Sequence, residues 1–431
     1  MHSAPVPVLQ RRLSAFFSAW PRSQRHARAQ AYLAAAVLWA ALSVTFLAQP
    51  GNRSIAGPIK GADFLQFYTS GYLVRTHQAA KLYDIRAFHD TQVALVPESA
   101  PELYPPVYPP QTGLLFSWLT YVPFRVAVLL WNTLTVVLFG AVVWTSWRAV
   151  REWIPEFGFV AAAAAAFAPF WSLVLYGQVT ILILLSFWAA WIALDRGRPF
   201  LAGCAFGALA VKPQFAIPLV AVAIFCREWR MVSGAILSIA LQAVLVVRVL
   251  GTPVLSAYAG FMTLAAPHAD LLEPKPYQSH SLRAVTRLLP SAVALPVWAV
   301  GSVVAVTMCV LTWKHCQSLR VRMSVLILTS VLVNPHLIVY DATVLVLPIL
   351  WLGAQAVQQS EISDSRLYWR LVYWLFVTML APTAAMIGIQ VSVLLMGAIL
   401  CVAVRTALRG GTLDLGWSAP PPSGLARPSH V

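Results

Sequence analysis

Residues 199–226 read PFLAGCAFGALAVKPQFAIPLVAVAIFC, and the fold class follows from this stretch more than from any other. Lys212 is its only charged residue, and Pro213 comes directly after it. A helix that crosses a bilayer needs about 20 apolar residues, and each half of the stretch is shorter than that. Proline ends the preceding helix, and a cation within lipid is costly. The pattern therefore predicts two short membrane helices that meet at a break facing protein or a water-filled cavity.

The composition of the whole chain agrees with a membrane protein. Of 431 residues, 59% are hydrophobic and 10% are charged, whereas about 25% are charged in a soluble domain. These values exclude a soluble globular enzyme and a disordered chain. The net charge is +15, but the basic residues lie between apolar runs, so we interpret them as topology signals and not as a nucleic-acid surface. The five cysteines show no metal-ligand spacing, and we expect no disulfide.

Twelve apolar runs are predicted to be transmembrane helices, which makes the fold an all-α polytopic membrane protein. Two pairs of these runs are short and closely joined, and they predict helical hairpins that stop within the bilayer. The runs are 31–48, 126–147, 157–175, 179–194, 199–211, 213–226, 231–250, 291–313, 323–333, 337–353, 371–387 and 390–404.

The distribution of basic residues predicts the orientation. The short loops on the side of the N-terminus are consistently basic, which places that side in the cytoplasm. The basic tail 1–30 and the tail 405–431, which is rich in Gly, Pro and Ser toward its end, are then cytoplasmic, with disorder predicted for the second. The membrane domain is 31–404. Its long outer loops are 49–112, with an interfacial helix predicted at about 61–80, and 251–290.

Asp63 is the first candidate for catalysis. It follows the first predicted span within Gly61-Ala62-Asp63-Phe64, in an aromatic setting that could raise its pKa toward the working pH of a general base. The alternative is that Asp63 only caps a helix, because aspartate is favoured at that position.

Several cations on the same predicted side could bind a phosphate. Lys212 would supply a point charge, although it could also extend to the outer interface. Arg283 and Arg287 are four residues apart and would share a helix face, either as a bidentate clamp or as a solvated surface. His336 lies near the outer end of a hairpin. Asp341 in the same hairpin needs a partner when buried, and Lys212 is our candidate for it.

Tyrosines on a rigid frame could bind a sugar. Tyr104 and Tyr108 lie in Tyr104-Pro105-Pro106-Val107-Tyr108-Pro109-Pro110, which cannot form a helix interior. The alternative is a structural lead into the next membrane helix. The chain contains no P-loop, no HExxH and no CxxC pair, and nothing indicates a required metal or other cofactor.

An ordered set of motifs resembles glycosyltransferase family 87 over about residues 30–400. The motifs are Asp63-Phe64 with Phe67-Tyr68, Leu82-Tyr83, Tyr104 with Tyr108-Pro109-Pro110, Tyr176-Gly177-Gln178, Gly203 with Lys212-Pro213, Gln278-Ser279 with Leu282-Arg283, and Pro335 with Leu347-Pro348. The family often has Asn where this chain has Gln178.

The resemblance implies an integral membrane enzyme of the GT-C type. It implies a polyprenyl-phosphate sugar donor, usually of mannose, and inverting transfer to a glycolipid or glycan hydroxyl on the extracytoplasmic side of a bacterial-type plasma membrane. Asp63 matches the family's catalytic aspartate. We expect sugar or acceptor contacts from Tyr68, Tyr104, Tyr108, Gln178 and His280.

Two other functions are open from the sequence. A secondary transporter is compatible with twelve spans and an intramembrane charge, although the halves of the chain show no repeat. A non-catalytic lipid-handling or assembly factor is the other. Consumption of a lipid-phosphate sugar without a gradient would separate the enzyme from the transporter.

Overall fold

The computed structural model describes residues 24–266, 276–358, 362–380 and 383–409. Within these ranges the regular elements are helices, and the only β pairings are two isolated bridges, Arg53 with Ile59 and Ser279 with Ile338. Residues 1–23 of the predicted basic tail and residues 410–431 of the predicted disordered tail lie outside the described residues. Residues 405–409 were predicted to be disordered, but they form the end of a helix because the apolar run continues into them.

Nineteen α-helices are described, and we number them in chain order. They are α1 Gln24–Leu47, α2 Phe64–Arg75, α3 Ile85–Leu95, α4 Gln111–Phe116, α5 Phe124–Arg148, α6 Phe157–Ala165, α7 Ala168–Tyr176, α8 Thr180–Asp195, α9 Pro199–Gly207, α10 Ile217–Phe225, α11 Trp229–Leu250, α12 Pro253–Ala265, α13 Leu282–Thr286, α14 Ser291–His315, α15 Leu319–Leu332, α16 Val346–Gln358, α17 Ile362–Leu380, α18 Thr383–Ile387 and α19 Val391–Arg409.

Short 3₁₀ segments supplement these helices. They are Ala79–Lys81, Pro97–Ser99, Ser117–Tyr121, Ala208–Val211, Pro213–Ala216, Pro276–Gln278 and Val339–Leu345.

Six of the described helical segments are long and apolar enough to cross a membrane, and a seventh span results if the bent pair α6 and α7 counts as one. The chain is therefore an all-α polytopic membrane protein, as predicted. The sequence predicted twelve spans, and the difference arises because several predicted runs form helices too short to cross a bilayer alone. The segments Thr180–Asp195, Pro199–Val211 and Pro213–Phe225 are of this kind.

The predicted break at Lys212 is present. The helical segment Pro199–Val211 ends directly before Lys212, and Pro213–Phe225 begins directly after it. Both segments are 3₁₀ in the turn next to the lysine. The second predicted hairpin breaks between α15 and the 3₁₀ segment Val339–Leu345, so both breaks leave non-α backbone inside the protein.

The predicted interfacial helix differs from the structure. The sequence predicted about 61–80, whereas α2 spans Phe64–Arg75, and ten of its twelve residues are buried. A helix lying on a membrane surface exposes one side, whereas α2 is enclosed by protein. One reason is Gly71, where a Cβ atom would lie 2.7 Å from the backbone carbonyl oxygen of Phe116, so that α2 and α4 approach closely.

Candidate functional site

Asp63 directly precedes α2 but does not cap it. It occupies the N-cap position, yet its side chain makes no hydrogen bond to the helix backbone. Its Oδ2 atom instead accepts a hydrogen bond from Nε2 of Gln178 at 2.7 Å. A capping carboxylate would accept from backbone N–H groups of the first turn. The carboxylate of Asp63 is thus directed away from its own helix, toward residues 115 positions further along the chain.

A glycine turn brings Gln178 to Asp63. Helix α7 ends at Tyr176, and Gly177 adopts a left-handed conformation with φ of +65°. A Cβ atom on Gly177 would lie 2.7 Å from the Cβ atom of Phe64, so the turn needs glycine both for its dihedral angles and for the space. The turn therefore fixes Gln178 against the start of α2.

The side chain of Gln178 makes four hydrogen bonds. Its Nε2 atom donates to Asp63 and, at 3.1 Å, to the hydroxyl of Tyr340. Its Oε1 atom accepts from the hydroxyl of Tyr108 at 2.8 Å and from the backbone N–H of Val179 at 3.2 Å. Because both ends of the amide are engaged, the orientation of Gln178 is determined by its partners.

Lys212 and Asp341 form a buried ion pair beside this cluster, which confirms the partner predicted for Asp341. Nζ of Lys212 lies 2.5 Å from Oδ1 of Asp341. The hydroxyl of Thr180 donates to the same carboxylate oxygen at 2.5 Å and lies 3.3 Å from the ammonium nitrogen. The two charged side chains are 5% and 2% exposed. A pair this deeply buried needs such additional hydrogen bonds to offset its desolvation.

Two tyrosines connect the ion pair with the Asp63 cluster. Nζ of Lys212 lies 5.5 Å from the ring centre of Tyr108 and 5.0 Å from that of Tyr340. The hydroxyls of both tyrosines contact Gln178. We call the seven connected residues the polar network. It comprises Asp63, Tyr108, Gln178, Thr180, Lys212, Tyr340 and Asp341.

Burial governs the ionisation of the network residues that lie outside the predicted spans. It raises the pKa of the Asp63 carboxyl, and the hydrogen bond from Gln178 and the charge of Lys212 lower that pKa in part. Burial also raises the pKa of Tyr108 to about 12, so its hydroxyl stays protonated. A carboxylate whose pKa is raised holds a proton more readily than a free aspartate does, as a general base must.

The second group of predicted residues lies on the segment 276–290, which packs against the second break. The backbone N–H of His280 donates to the carbonyl of Leu337 at 3.1 Å. A guanidinium nitrogen of Arg283 lies 3.5 Å from the carbonyl oxygen of Pro335, which places Arg283 beside the backbone of His336. Arg287 follows at the C-terminal end of α13.

This segment reaches the polar network through another tyrosine. Nε2 of Gln278 donates to the hydroxyl of Tyr176 at 3.1 Å. The ring of Tyr176 packs edge-on against that of Tyr340, with 5.9 Å between the ring centres. The structure thus connects the region of Arg283 and His336 to the region of Asp63 and Lys212.

Two predicted sugar-binding residues make their contacts elsewhere. The hydroxyl of Tyr68 donates to the carbonyl of Val122 at 2.8 Å, because five residues along the helix turn it to a different side from Asp63. His280 is buried, with Nδ1 2.7 Å from the hydroxyl of Ser392 and with Gln390 against its ring. Burial lowers the pKa of His280 to about 3, so the imidazole is neutral and anchors its segment to α19.

Tyr104 lies near the network without a direct bond to it. Its hydroxyl donates to the carboxylate of Glu102 at 2.5 Å. The pKa of Tyr104 is raised by burial, by Glu102 and, to a smaller extent, by the charge of Asp63. Tyr104 is partly exposed.

Thr180 and Tyr340 belong to the polar network but were not predicted as site residues. Both lie next to residues that were singled out, since Thr180 follows Gln178 by two positions and Tyr340 directly precedes Asp341. Tyr340 could have been found because its hydroxyl lies next in sequence to Asp341, and a buried carboxylate needs hydrogen-bond donors. Among the described residues, no group of three His, Cys, Asp or Glu side chains could hold a metal ion.

Comparison with known proteins gives one match. The family model described as glycosyltransferase family 87 matches residues 107–335, more than half of the chain. The matched range contains Tyr108, Gln178, Lys212 and Arg283. No curated protein and no solved structure matches the chain significantly.

Proposed function

The chain belongs to glycosyltransferase family 87, and on that basis we propose that it moves mannose from a polyprenyl-phosphate donor to an acceptor hydroxyl, with Asp63 as the general base. Family membership and the membrane-spanning helices make the chain a multi-pass membrane glycosyltransferase. The acceptor is a glycolipid or glycan.

The proposed reaction is a single displacement. The acceptor hydroxyl gives its proton to the carboxylate of Asp63, and its oxygen attacks the anomeric carbon from the side opposite the phosphate. The bond between that carbon and the phosphate oxygen breaks, and the lipid phosphate leaves with the bonding electrons. The configuration at the anomeric carbon is therefore inverted. The raised pKa of Asp63 supports its role, because a base is most effective when its pKa is close to the working pH.

Gln178 acts in this scheme by positioning the base. Its amide N–H holds Oδ2 of Asp63, and its carbonyl is held by Tyr108. The other carboxylate oxygen of Asp63 is then oriented to meet the acceptor hydroxyl. A reaction of this kind depends on the reacting atoms being held within a fraction of an ångström.

Arg283 is our first choice for the donor phosphate. The positive charge of Lys212 is already neutralised by the carboxylate of Asp341 in their buried ion pair. Among the described residues, the ion pairs involve other side chains, and Arg283 has no carboxylate partner. A guanidinium can bind a phosphate through two parallel hydrogen bonds. His336 and Arg287 lie on the same two segments and complete the phosphate site.

Lys212 was predicted from the sequence to bind the phosphate, and we now propose a different role for it. Its ammonium lies near the rings of Tyr108 and Tyr340 while it stays paired with Asp341, so it holds these two tyrosines in place around the site. Tyr104 and Tyr108 would contact the sugar or the acceptor, whereas the contacts of Tyr68 and His280 favour structural roles.

The remaining features of the proposal concern fold and location. We propose a GT-C architecture, in which the shorter apolar helices supply the spans beyond the long ones. The end of the molecule that carries Asp63 would face the extracytoplasmic side of a plasma membrane, with both termini in the cytoplasm, as the basic short loops indicate.

The observation that carries the proposal is the hydrogen bond of Asp63 to Gln178 in place of a helix cap. The test is transfer of mannose from a polyprenyl-phosphate donor by purified Asp63→Asn protein, for which we expect a loss of about 10²–10⁴-fold. Asp84→Asn is the matched control, because Asp84 does cap its helix, accepting hydrogen bonds from the backbone N–H groups of Arg86 and Ala87. Turnover near that of the wild type in Asp63→Asn would remove Asp63 from the role of base.

A further inference from the structure

A hollow lies at the end of the molecule where α1 ends and α5 begins. Its enclosed part has a volume of only about 20 Å³, so a ligand would lie mostly at its mouth, on the surface. It is separate from the polar network, since none of its lining residues belongs to that network. They are Phe46, Leu47, Asn52, Lys60, Phe124, Arg125, Val128 and Leu129.

Two cations line the hollow. Nζ of Lys60 donates to the carbonyl oxygens of Gln49 at 2.6 Å and Gly51 at 3.1 Å, which leaves one of its three N–H groups for another acceptor. Arg125 is the second residue of α5 and is exposed. A cation at the start of a helix opposes the helix dipole. The pKa of Lys60 is lowered by burial and by the charge of Arg125, so the two cations repel each other across the hollow.

No carboxylate of the described residues is ion-paired with Lys60 or Arg125. The nearby carboxylate of Glu98 accepts from the amide of Asn52 at 3.1 Å and 3.2 Å and forms no salt bridge with either cation. Glu102 pairs with Arg53. An anion placed between Lys60 and Arg125 would be stabilised by both charges.

The rest of the hollow is apolar and continues onto the surface of two membrane helices. Leu47 is 71% exposed and Leu129 is 46% exposed. They belong to α1 and α5, both of which are long and apolar enough to cross a membrane. Exposed leucines on such helices face acyl chains. A ligand at the mouth of the hollow would therefore meet two cations and an exposed apolar surface, which suits an anionic head with apolar chains.

We propose that this hollow binds the phosphate of an anionic membrane phospholipid, with Lys60 and Arg125 on the headgroup and with the acyl chains along Phe46, Leu47 and Leu129. A soluble phosphate would use the two cations but not the leucines. Lys60 is three residues before Asp63, so a bound lipid would also hold the segment that carries the proposed base. The binding itself does not depend on the proposed glycosyl transfer.

The test measures lipid binding to the purified full-length protein in detergent. Phosphatidylglycerol is titrated against phosphatidylcholine, and bound lipid is counted by native mass spectrometry. We expect the wild type to prefer phosphatidylglycerol. We expect Arg125→Gln to bind it about tenfold more weakly, because the loss of one hydrogen bond to a charged group corresponds to about a tenfold increase in Kd. The matched control is Arg148→Gln, which removes an exposed arginine from the other end of the same helix and should bind as the wild type does.

Three outcomes would overturn the proposal. The first is equal binding of the two lipids by the wild type. The second is wild-type affinity for phosphatidylglycerol in both Arg125→Gln and Lys60→Gln. The third is displacement of the lipid by inorganic phosphate at equal concentration, which would assign the site to a free phosphate. Thermal unfolding of each variant shows whether it is folded. If Arg125→Gln does not fold, Lys60→Gln tests the same site. Since sugar transfer is not the readout, a failure here is distinct from a failure of the proposed function.

Discussion

Lys212 and Asp341, which are 129 positions apart, meet at 2.5 Å where two broken helical segments come together inside the protein. Each residue lies at or beside a stretch of 3₁₀ backbone, and each is buried. A charge at either position without the other would be costly. The pair therefore joins the two breaks and fixes the position of Tyr108 and Tyr340 around it.

The first prediction concerns this pair. Lys212→Met leaves the Asp341 carboxylate buried without a cation, and Asp341→Leu leaves the Lys212 ammonium without an anion. We expect each single change to destabilise the protein by about 3–5 kcal/mol, and the double change to cost less than the sum of the two. Thermal unfolding in detergent measures the three variants. Additive losses would show that the two side chains do not interact.

The second prediction concerns the pH dependence of transfer. The base must be deprotonated to act, so activity is lost as the pH falls through the raised pKa of Asp63. The hydrogen bond from Gln178 lowers that pKa. Gln178→Met removes this hydrogen bond and keeps a side chain of similar size. We therefore expect the acidic limb of the kcat/KM profile to move to higher pH in Gln178→Met. A lower kcat/KM with an unmoved limb would mean that Gln178 acts only through packing.

The third prediction concerns the donor phosphate. Arg283→Gln should lower kcat/KM for the polyprenyl-phosphate donor by about 10²-fold, as the loss of one transition-state donor typically does. Arg283→Lys should recover part of this activity because it keeps the charge but not the planar fork. Arg248→Gln, at an exposed position in the last turn of α11, serves as the control. Full activity of Arg283→Gln would return the phosphate role to Lys212 or His336.

The fourth prediction concerns the turn at Gly177. Alanine there would meet the Cβ atom of Phe64 and would have to adopt a left-handed conformation. We expect Gly177→Ala to displace Gln178 from Asp63 and to lower transfer by at least about tenfold. Gly140→Ala is the control, because a Cβ atom at Gly140 has nothing within 4 Å. Equal activities of the two variants would show that the turn does not determine the site.

The sequence identified the class of fold because composition and the length of apolar runs report directly on the membrane. It did not identify the number of long spans, since a run such as 179–194 reads the same whether it crosses the bilayer or ends within it. It also predicted an exposed side for α2. The aromatic and small residues of that helix pack on every side, and a spacing argument cannot distinguish a lipid surface from surrounding protein.

The site residues that could be predicted from the sequence are those that carry a charge within an apolar region. Asp63, Lys212 and Asp341 each carry a charge that an apolar environment makes conspicuous, and the pairing of the last two follows from that cost. Tyr340 and Thr180 carry no charge, and only three-dimensional proximity reveals them. For Tyr68 and His280 the residue type was suitable, but the direction of the side chain depends on packing that the sequence does not display.

The polar network has a consequence for biogenesis. Its members come from the first loop, from the turn after α7, from the break at Lys212 and from the break before α16, so no contiguous part of the chain contains it. During synthesis the groups around Asp63 would remain incomplete until the segment carrying Tyr340 and Asp341 has been inserted. Catalysis by a nascent chain would then be switched on late, and enzymatic turnover would report that membrane integration of this region is complete.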